Sequence, residues 1–133
     1  MIKITELRTG NLLNYDTAEG GILPTKIDWQ DLKWLDEDAK GFNLVYTPIP
    51  ITEEWLLKLG AQHYKNRKDM FNLSGITVVI DKDKDLMCIK GNLICELILC
   101  HLKFVHQVQN FYFGLVGIDL IIQSLVGGEK NKI

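Results

Sequence analysis

The residues best suited to chemistry lie close together in the last third of the chain. Cys95, Cys100, His101 and His106 are four potential zinc ligands within twelve positions. Structural zinc sites usually pair ligands about two to four residues apart on a tight turn. Here Cys95 falls in a strand-like run and His106 in a helical pattern, and an alternating strand would send Cys95 and Cys100 to opposite faces. The spacing predicts packed or incidental cysteines, with no metal site and no cofactor.

A second candidate site is the acidic segment in which Asp81, Asp83 and Asp85 alternate with lysines. The pattern resembles the start of a calcium-binding EF-hand loop. Such a loop also needs glycine at its sixth position and a glutamate at its twelfth, where this chain has Leu86 and Asn92. The segment is therefore interpreted as a charged turn between two strands.

Catalytic side-chain arrangements are equally hard to assemble from this sequence. Nothing places Cys100 in the electropositive, partly open setting that activates a thiol. Glu53 and Glu54 are neighbours on a predicted helix, so their side chains point about 100° apart and cannot flank one bond. We predict that the protein is not an enzyme.

Composition narrows the class of protein further. The chain has 133 residues with 47% hydrophobic side chains and a net charge of -2, which is typical of a single globular domain. Proteins that grip duplex DNA usually carry a basic excess, which is missing here. Three cysteines and a polar N-terminal segment favour a cytoplasmic protein without a membrane span.

The chain divides at Pro48-Ile49-Pro50 into a β-rich half, residues 1–50, and a second half, residues 51–126, with a frayed polar tail at 127–133. Three strands are predicted in the first half: Leu12–Tyr15, Ile22–Ile27 and Phe42–Tyr46. The segment between them, 29–38, is open to two interpretations. Asp28 could cap a short helix there, but the aromatic residues also suit a strand.

The second half should begin with a helix over Ile51–Leu59 that is capped by Thr52 and ended by Gly60. An antiparallel meander follows, with strand-like runs at Met70–Leu73, Ile76–Ile80, Leu86–Lys90 and Leu93–Leu99. A helix over Leu102–Val116 then packs on the sheet. The fold class predicted for the whole chain is α+β.

That C-terminal helix is the strongest periodic element of the sequence. Its apolar residues fall on one broad arc: Phe104, Val105, Val108, Phe111, Tyr112, Leu115 and Val116. Its opposite arc carries Lys103, His106, Gln107 and Asn110, which we expect to face solvent. Phe113 lies at the border between the arcs. It is either an exposed anchor for a binding partner or a partly buried aromatic that packs under a neighbouring loop.

Three segments together resemble a family of small uncharacterised proteins of Bacteroides-type bacteria and their prophages. Glu6–Leu12 is similar to a leading L-R-x-G-N signature, and Pro48–Leu56 to a P-I-P-L-T-E-E-W-L block. Lys103–Phe113 is similar to a Y-V-H-Q-L-Q-N-L-Y-F helix. The resemblance implies that the first half is a small SH3-like barrel, and it implies no activity.

The same resemblance supplies the remaining candidate contact residues. His106, Gln107, Gln109, Asn110 and Phe113 belong to the helix block, and Arg8 and Asn11 to the leading signature. The sequence thus predicts a non-catalytic interaction module of phage or mobile-element origin that binds a protein partner or itself.

The alternative function is single-stranded nucleic-acid binding through the first half. In that hypothesis Arg8, Lys26 and Lys33 contact phosphates, and Trp29 or Trp34 stacks on bases.

Overall fold

The structure is a computed structural model that describes residues 1–17, 19–65, 67–81, 86–90 and 98–117. Side chains are described for all of these except 81, 86–90, 98–101 and 115–116. Both helices and strands are present, and the fold is α+β as predicted. The predicted tail at 127–133, the turn within 82–85 and the first part of the predicted strand Leu93–Leu99 lie outside the described residues.

Backbone contacts group the chain into two compact units. The first unit contains Met1–Pro50 and the described residues 104–117, and the second contains the described residues of 51–103. The boundary at Pro50 coincides with the predicted proline connector. The last of the described helices belongs to the first unit rather than to the meander that precedes it in sequence.

The first unit is built on a three-stranded antiparallel sheet. Its strands are β1 (Leu12–Asp16), β2 (Ile22–Lys26) and β3 (Tyr46–Thr47), in the order β2-β1-β3. The predicted strands at Leu12–Tyr15 and Ile22–Ile27 are confirmed within one residue. The sheet is therefore an open one, with β2 at one edge and β3 at the other.

The ambiguous segment 29–38 contains a helix, α1 (Trp29–Glu37). The Asp28 carboxylate accepts hydrogen bonds from the backbone N–H groups of Gln30 and Asp31, and Asp31 accepts from the Asp28 N–H in return. This reciprocal capping box satisfies donors that the first helical turn leaves free. Of the two interpretations of this segment, the helix capped by Asp28 is the one that the structure shows.

The predicted strand Phe42–Tyr46 is wrong, because this segment is mainly a second helix, α2 (Ala39–Val45). Asp38 caps it by accepting a hydrogen bond from the Gly41 N–H at 3.0 Å. A Cβ atom at position 41 would collide with the Asp38 carboxylate. Gly41 therefore makes room for a helix cap instead of starting a strand.

The first two residues of β1 are buried on opposite faces of the sheet. Leu13 packs in an apolar cluster whose other buried members come from the N-terminus, the β2–α1 connection, α1, α2 and β3: Ile2, Ile27, Leu35, Phe42 and Tyr46. Leu12 points to the opposite face by strand alternation and is also fully buried. The helix α4 (Val105–Val116) contacts β1 and covers this second face.

Observed α4 begins three residues later than predicted, because Leu102 ends a strand and Phe104 is extended. The apolar arc is confirmed where it is described, since Val105, Val108 and Tyr112 are buried. Gly117 ends the helix in the left-handed conformation, at φ 82°. The sequence placed this helix on the meander sheet of the second half, whereas in the structure α4 contacts β1 of the three-stranded sheet and belongs to the first unit.

The second unit starts with the helix α3 (Glu53–Lys58). The Thr52 hydroxyl accepts a hydrogen bond from the Trp55 N–H at 3.2 Å, and Gly60 adopts φ 98° just beyond the helix. The predicted cap and stop are both confirmed.

The rest of the second unit is an antiparallel meander, as predicted, but it has an additional first strand, and its last described strand ends at Leu102 rather than at Leu99. Its antiparallel strands follow one another in the order β4 to β8: Gln62–Tyr64, Arg67–Leu73, Ile76–Asp81, Leu86–Lys90 and Ile98–Leu102. Phe71, Leu73 and Val78 are its most buried described side chains. None of the described helices of either unit is long and apolar enough to cross a bilayer.

Candidate functional site

The residues singled out by the sequence meet in the first unit, where the chain before β1 contacts one face of α4. The helix contributes four side chains at positions i, i+3, i+4 and i+7: His106, Gln109, Asn110 and Phe113. These spacings place them on a single stripe. Glu6, Arg8 and Asn11 approach that stripe from about one hundred positions earlier in the chain.

Asn11 and Asn110 form the centre of this contact. The Asn11 amide nitrogen donates to the Asn110 Oδ1 at 2.8 Å, and the Asn110 amide nitrogen donates to the Asn11 Oδ1 at 3.2 Å. The Asn11 Oδ1 also accepts from the Arg8 N–H at 2.7 Å, and Asn110 donates to the Glu6 carbonyl at 2.9 Å. Asn11 is fully buried, so the hydrogen bonds that it makes compensate an amide removed from water.

The Gln109 side chain hydrogen-bonds two backbone groups that β3 does not reach. The Leu12 N–H faces the β3 side of β1, but β3 pairs only with Asn14 and Tyr15. The Gln109 side chain accepts from that Leu12 N–H at 2.8 Å and donates to the Gly10 carbonyl at 3.2 Å. One buried amide thereby satisfies two backbone groups that the short β3 cannot reach.

Arg8 covers the end of the stripe. Its guanidinium carbon lies 4.0 Å from the centre of the Phe113 ring, a cation–π contact. Its Nε donates to the Asn110 Oδ1 at 3.2 Å. Phe113 is half-buried, so of its two sequence interpretations the structure matches the partly buried aromatic under a neighbouring segment.

His106 is completely buried beside Phe104, whose ring stacks on the imidazole at 5.9 Å between centroids. Its Nε2 lies 3.0 Å from the Glu6 carboxylate, whereas its Nδ1 is buried without a hydrogen-bond partner. Burial lowers the pKa of His106 below its ordinary value of 6.5, and the hydrogen bond and charge of Glu6 offset part of that effect. The folded protein therefore favours the neutral ring.

Acidification is expected to destabilise the first unit from pH 6.5 downward. The unfolded chain binds a proton on His106 near its ordinary pKa of 6.5, and the folded chain excludes it until a lower pH. The free energy of unfolding then falls with decreasing pH, by at most about 1.4 kcal/mol per pH unit. Urea unfolding between about pH 7.5 and pH 5 measures the slope.

His106→Gln should remove this part of the slope, and His63→Gln serves as the matched control because His63 is exposed on β4. If the His106→Gln protein loses stability with acid in parallel with the wild type, the buried imidazole is not the group responsible.

The expectation that His106, Gln107 and Asn110 face solvent is wrong. His106 is buried, and Asn110 is half-buried within the contacts described above. Gln107 is half-buried too, and its side chain accepts from the Phe104 N–H at 3.1 Å at the start of α4. The structure brings Arg8, Asn11 and the α4 stripe together, but whether any of these residues contacts a partner stays a prediction.

Sequence reasoning left out one member of the site, Glu6. It named Gln109 as a candidate contact residue but did not use the spacing of 106, 109 and 110, which places these polar residues on one stripe. A helix with apolar residues on one arc and amides on an adjoining arc can bury both when a loop offers backbone groups to the amides.

A second feature of the first unit is an apolar surface at the end of the β1–β2 hairpin. Tyr15, Ile22 and Leu23, called here the hairpin patch, have 36%, 67% and 45% of their surface exposed. Tyr15 pairs with Leu23 across the two strands, and Asp16 pairs with Ile22. Side chains of a cross-strand pair share a face, so the patch has apolar groups on both faces of the hairpin end.

The open edge of β2 is interrupted by Pro24. Hydrogen bonds from Ile27 N–H to the Asn11 carbonyl and from Thr17 N–H to the Gly21 carbonyl lie at the two ends of the ladder. Because the N–H and C=O groups of successive residues in a strand point alternately to its two sides, those of residues 22, 24 and 26 point away from β1. Pro24 has no N–H, so the centre of this edge cannot donate to an added strand.

The side chains that the nucleic-acid hypothesis requires differ in how far they are exposed to solvent. Trp29 is 64% exposed at the start of α1, whereas Trp34 packs edge-on against Phe42 and Tyr46 in the core. Lys26 and Lys33 are exposed. Arg8 is held by Asn110 and Phe113, so the hypothesis keeps one tryptophan and two lysines that are open to solvent.

A pocket of about 320 Å³ lies in the second unit beside the start of α3. Its walls combine apolar and charged side chains: Ile51, Thr52, Glu53, Lys68, Asp69, Phe71 and Ile80. Asp69 already pairs with Arg67 through two 3.1 Å contacts, and Thr52 is occupied as the α3 cap. Within the part of the chain that the structure describes, no three potential metal ligands converge. Cys95 and the side chain of Cys100 lie outside that part.

Comparison with models of protein families, with curated proteins and with solved structures gave no match to this chain. The resemblance to the Bacteroides-type family therefore stays a prediction.

Proposed function

We propose that this chain is a non-catalytic interaction module that binds a protein partner, or a second copy of itself, through the hairpin patch. The observation that carries the proposal is the position of its apolar side chains. Single exposed apolar residues are common on protein surfaces, but Tyr15 and Leu23 form an exposed cross-strand pair on one face, and Ile22 is exposed on the other face of the same hairpin end. Exposed apolar groups that cluster in this way are typical of surfaces that a partner covers.

The α4 stripe supports this choice of surface by elimination. The polar side chains of this site hydrogen-bond one another and the backbone, namely those of Arg8, Asn11, Gln109 and Asn110. A partner that used these groups would have to replace bonds already made, at a cost of about 1–3 kcal/mol for each buried group left unpaired. The stripe therefore suits a structural role that fixes β1, and with it the hairpin, on α4.

The cellular setting belongs to the same proposal. The proposed cytoplasmic location rests on the cysteine content. The proposed phage or mobile-element origin rests on the resemblance. The SH3-like classification of the first half likewise rests on that resemblance.

Single-stranded nucleic-acid binding remains the second proposal, and the charge distribution supports it less. Residues 1–50 and 104–117 contain five basic and eight acidic side chains, a net charge of -3. Nucleic-acid affinity depends on basic groups that replace counterions along the phosphates. Trp29, exposed at the start of α1, is the observation in favour.

The test compares the wild type with a variant that carries Ile22→Ser and Leu23→Ser. Sedimentation velocity measures self-association, and nuclease-treated lysate measures capture of a protein partner. The double variant should lose the dimer or the partner while its melting temperature changes by no more than about 5 °C. Leu57→Ser is the matched control, because Leu57 is an exposed leucine in α3 of the second unit.

Equal binding by the wild type and the folded double variant would contradict the proposal. Capture that disappears on nuclease treatment, with oligonucleotide affinity unchanged in the double variant, would favour the nucleic-acid alternative.

A further inference from the structure

The hairpin patch is bordered by acidic side chains. Asp16 pairs directly with Ile22 across the hairpin, and Glu19 lies in the turn that joins the two strands. Both carboxylates are exposed, and neither has a cationic partner among the described residues. The next cation along β2 is Lys26, about 13 Å from Ile22 at 3.3 Å per residue.

The carboxylates of Asp16 and Glu19 determine which charge a partner should carry. Unpaired carboxylates beside an apolar surface attract a cationic group that arrives with apolar side chains, and they repel phosphates and anionic lipid headgroups. The net charge of -3 of the first unit acts in the same direction over a longer range. Charge complementarity therefore favours a basic partner over an acidic one.

Pro24 at the edge of β2 limits the ways in which such a partner can bind. Strand addition needs a continuous row of backbone donors and acceptors, and Pro24 removes the central donor of the β2 edge. Side chains on both faces of the hairpin end remain available, namely Tyr15 with Leu23 on one face and Ile22 on the other. A compact amphipathic segment can contact these side chains without adding a strand.

We propose that the hairpin patch, with Asp16 and Glu19, binds an amphipathic segment of a partner protein that carries leucine-like side chains beside lysine or arginine. This inference rests on the proposed function and specifies the chemistry of its partner.

The experiment uses synthetic peptides and the full chain. A helix-forming peptide of leucine and lysine is titrated into the ¹⁵N-labelled protein and compared with peptides that have glutamate for lysine or serine for leucine. The leucine–lysine peptide should shift the amide signals of Tyr15, Ile22 and Leu23, and the other two should bind at least about tenfold more weakly.

Two pairs of substitutions separate local from overall charge. Asp16→Asn with Glu19→Gln should weaken binding of the leucine–lysine peptide by about tenfold. Asp36→Asn with Glu37→Gln changes the net charge equally on exposed positions of α1, and it should change the Kd by less than about twofold. Equal weakening by both pairs, or shifts confined to other residues, would overturn the proposal.

Vesicles of phosphatidylglycerol and a single-stranded oligothymidine are the further probes. Hairpin-dependent binding of either would overturn the choice of a basic protein segment. The two proposals fail separately. If Ile22→Ser with Leu23→Ser abolishes partner capture but the leucine–lysine peptide does not bind, the interaction surface stands and the partner chemistry is wrong. If partner capture survives that variant, the surface itself is wrong.

Discussion

Alanine at position 11 is expected to lower the free energy of unfolding of the first unit by about 2–4 kcal/mol. The Asn11 side chain is fully buried and bonds the Arg8 N–H and both polar atoms of the Asn110 amide. Its removal leaves the Arg8 N–H without this acceptor and takes one hydrogen bond from each polar atom of the Asn110 amide, which keeps its bonds to the Arg8 Nε and the Glu6 carbonyl. Urea denaturation followed by circular dichroism measures the loss, and hydrogen exchange of the Leu12 amide assigns it to the first unit.

Asn14→Ala is the matched control for that experiment. Asn14 lies in β1, three residues after Asn11, is half-buried, and its side chain makes no hydrogen bond within the described residues. Its replacement should change stability by less than about 0.5 kcal/mol. A double-mutant cycle with Asn110→Ala should show coupling, because the two amides share their hydrogen bonds. Additive losses, or equal effects at positions 11 and 14, would show that the paired amides do not hold β1 on α4.

Phe42→Ala is expected to have the largest effect on stability, a loss of about 3–5 kcal/mol. The Phe42 ring is fully buried and stacks on Tyr46 at 4.6 Å between centroids, with Trp34 edge-on at 5.5 Å. The same denaturation curves measure the loss, and the fluorescence of Trp34 should change as its neighbour is removed.

Leu44→Ala tests whether α2 is a helix at the same time. A strand over Phe42–Tyr46 would place residues 42, 44 and 46 on one face, whereas the structure leaves Leu44 77% exposed. We expect Leu44→Ala to change stability by less than about 0.5 kcal/mol. A loss as large as that of Phe42→Ala would mean that the alternating pattern, and not the helix, describes this segment.

Local signals predicted most elements of this fold correctly. Thr52 and Gly60 delimit α3 because capping and the left-handed conformation depend on a few neighbouring atoms. The strand predicted over Phe42–Tyr46 was wrong because the contact that decides this segment is not visible as a local pattern. Its alternation of apolar residues is compatible with a strand, and the decisive contact is a cap from Asp38 onto Gly41 that leaves no periodic signal.

The candidate site was harder to predict than the elements that hold it. A polar arc on a helix normally faces water, so His106 and Asn110 were expected on the surface. Their burial depends on Glu6, Arg8 and Asn11, which reach them from about one hundred positions away. The resemblance pointed to both segments as contact residues, but no local pattern could show that they contact each other.

The hairpin patch was not predicted, because its strands were recognised without a prediction of which residues remain exposed. Ile22 and Leu23 look like ordinary strand residues in the sequence. Their exposure follows from β2 being an edge strand at the end of a hairpin, which is a property of the sheet order.

Hydrogen exchange of the complex shows which surface the partner covers. The Ile22 N–H points to the open edge of β2 and should exchange rapidly in the free protein. In the presence of the captured partner, or of excess protein if the chain pairs with itself, residues 15–17 and 19–23 should exchange more slowly because the docked side chains exclude water from them, while 106–113 keep their rates. Protection confined to 106–113, with Ile22 still exchanging freely, would contradict the account.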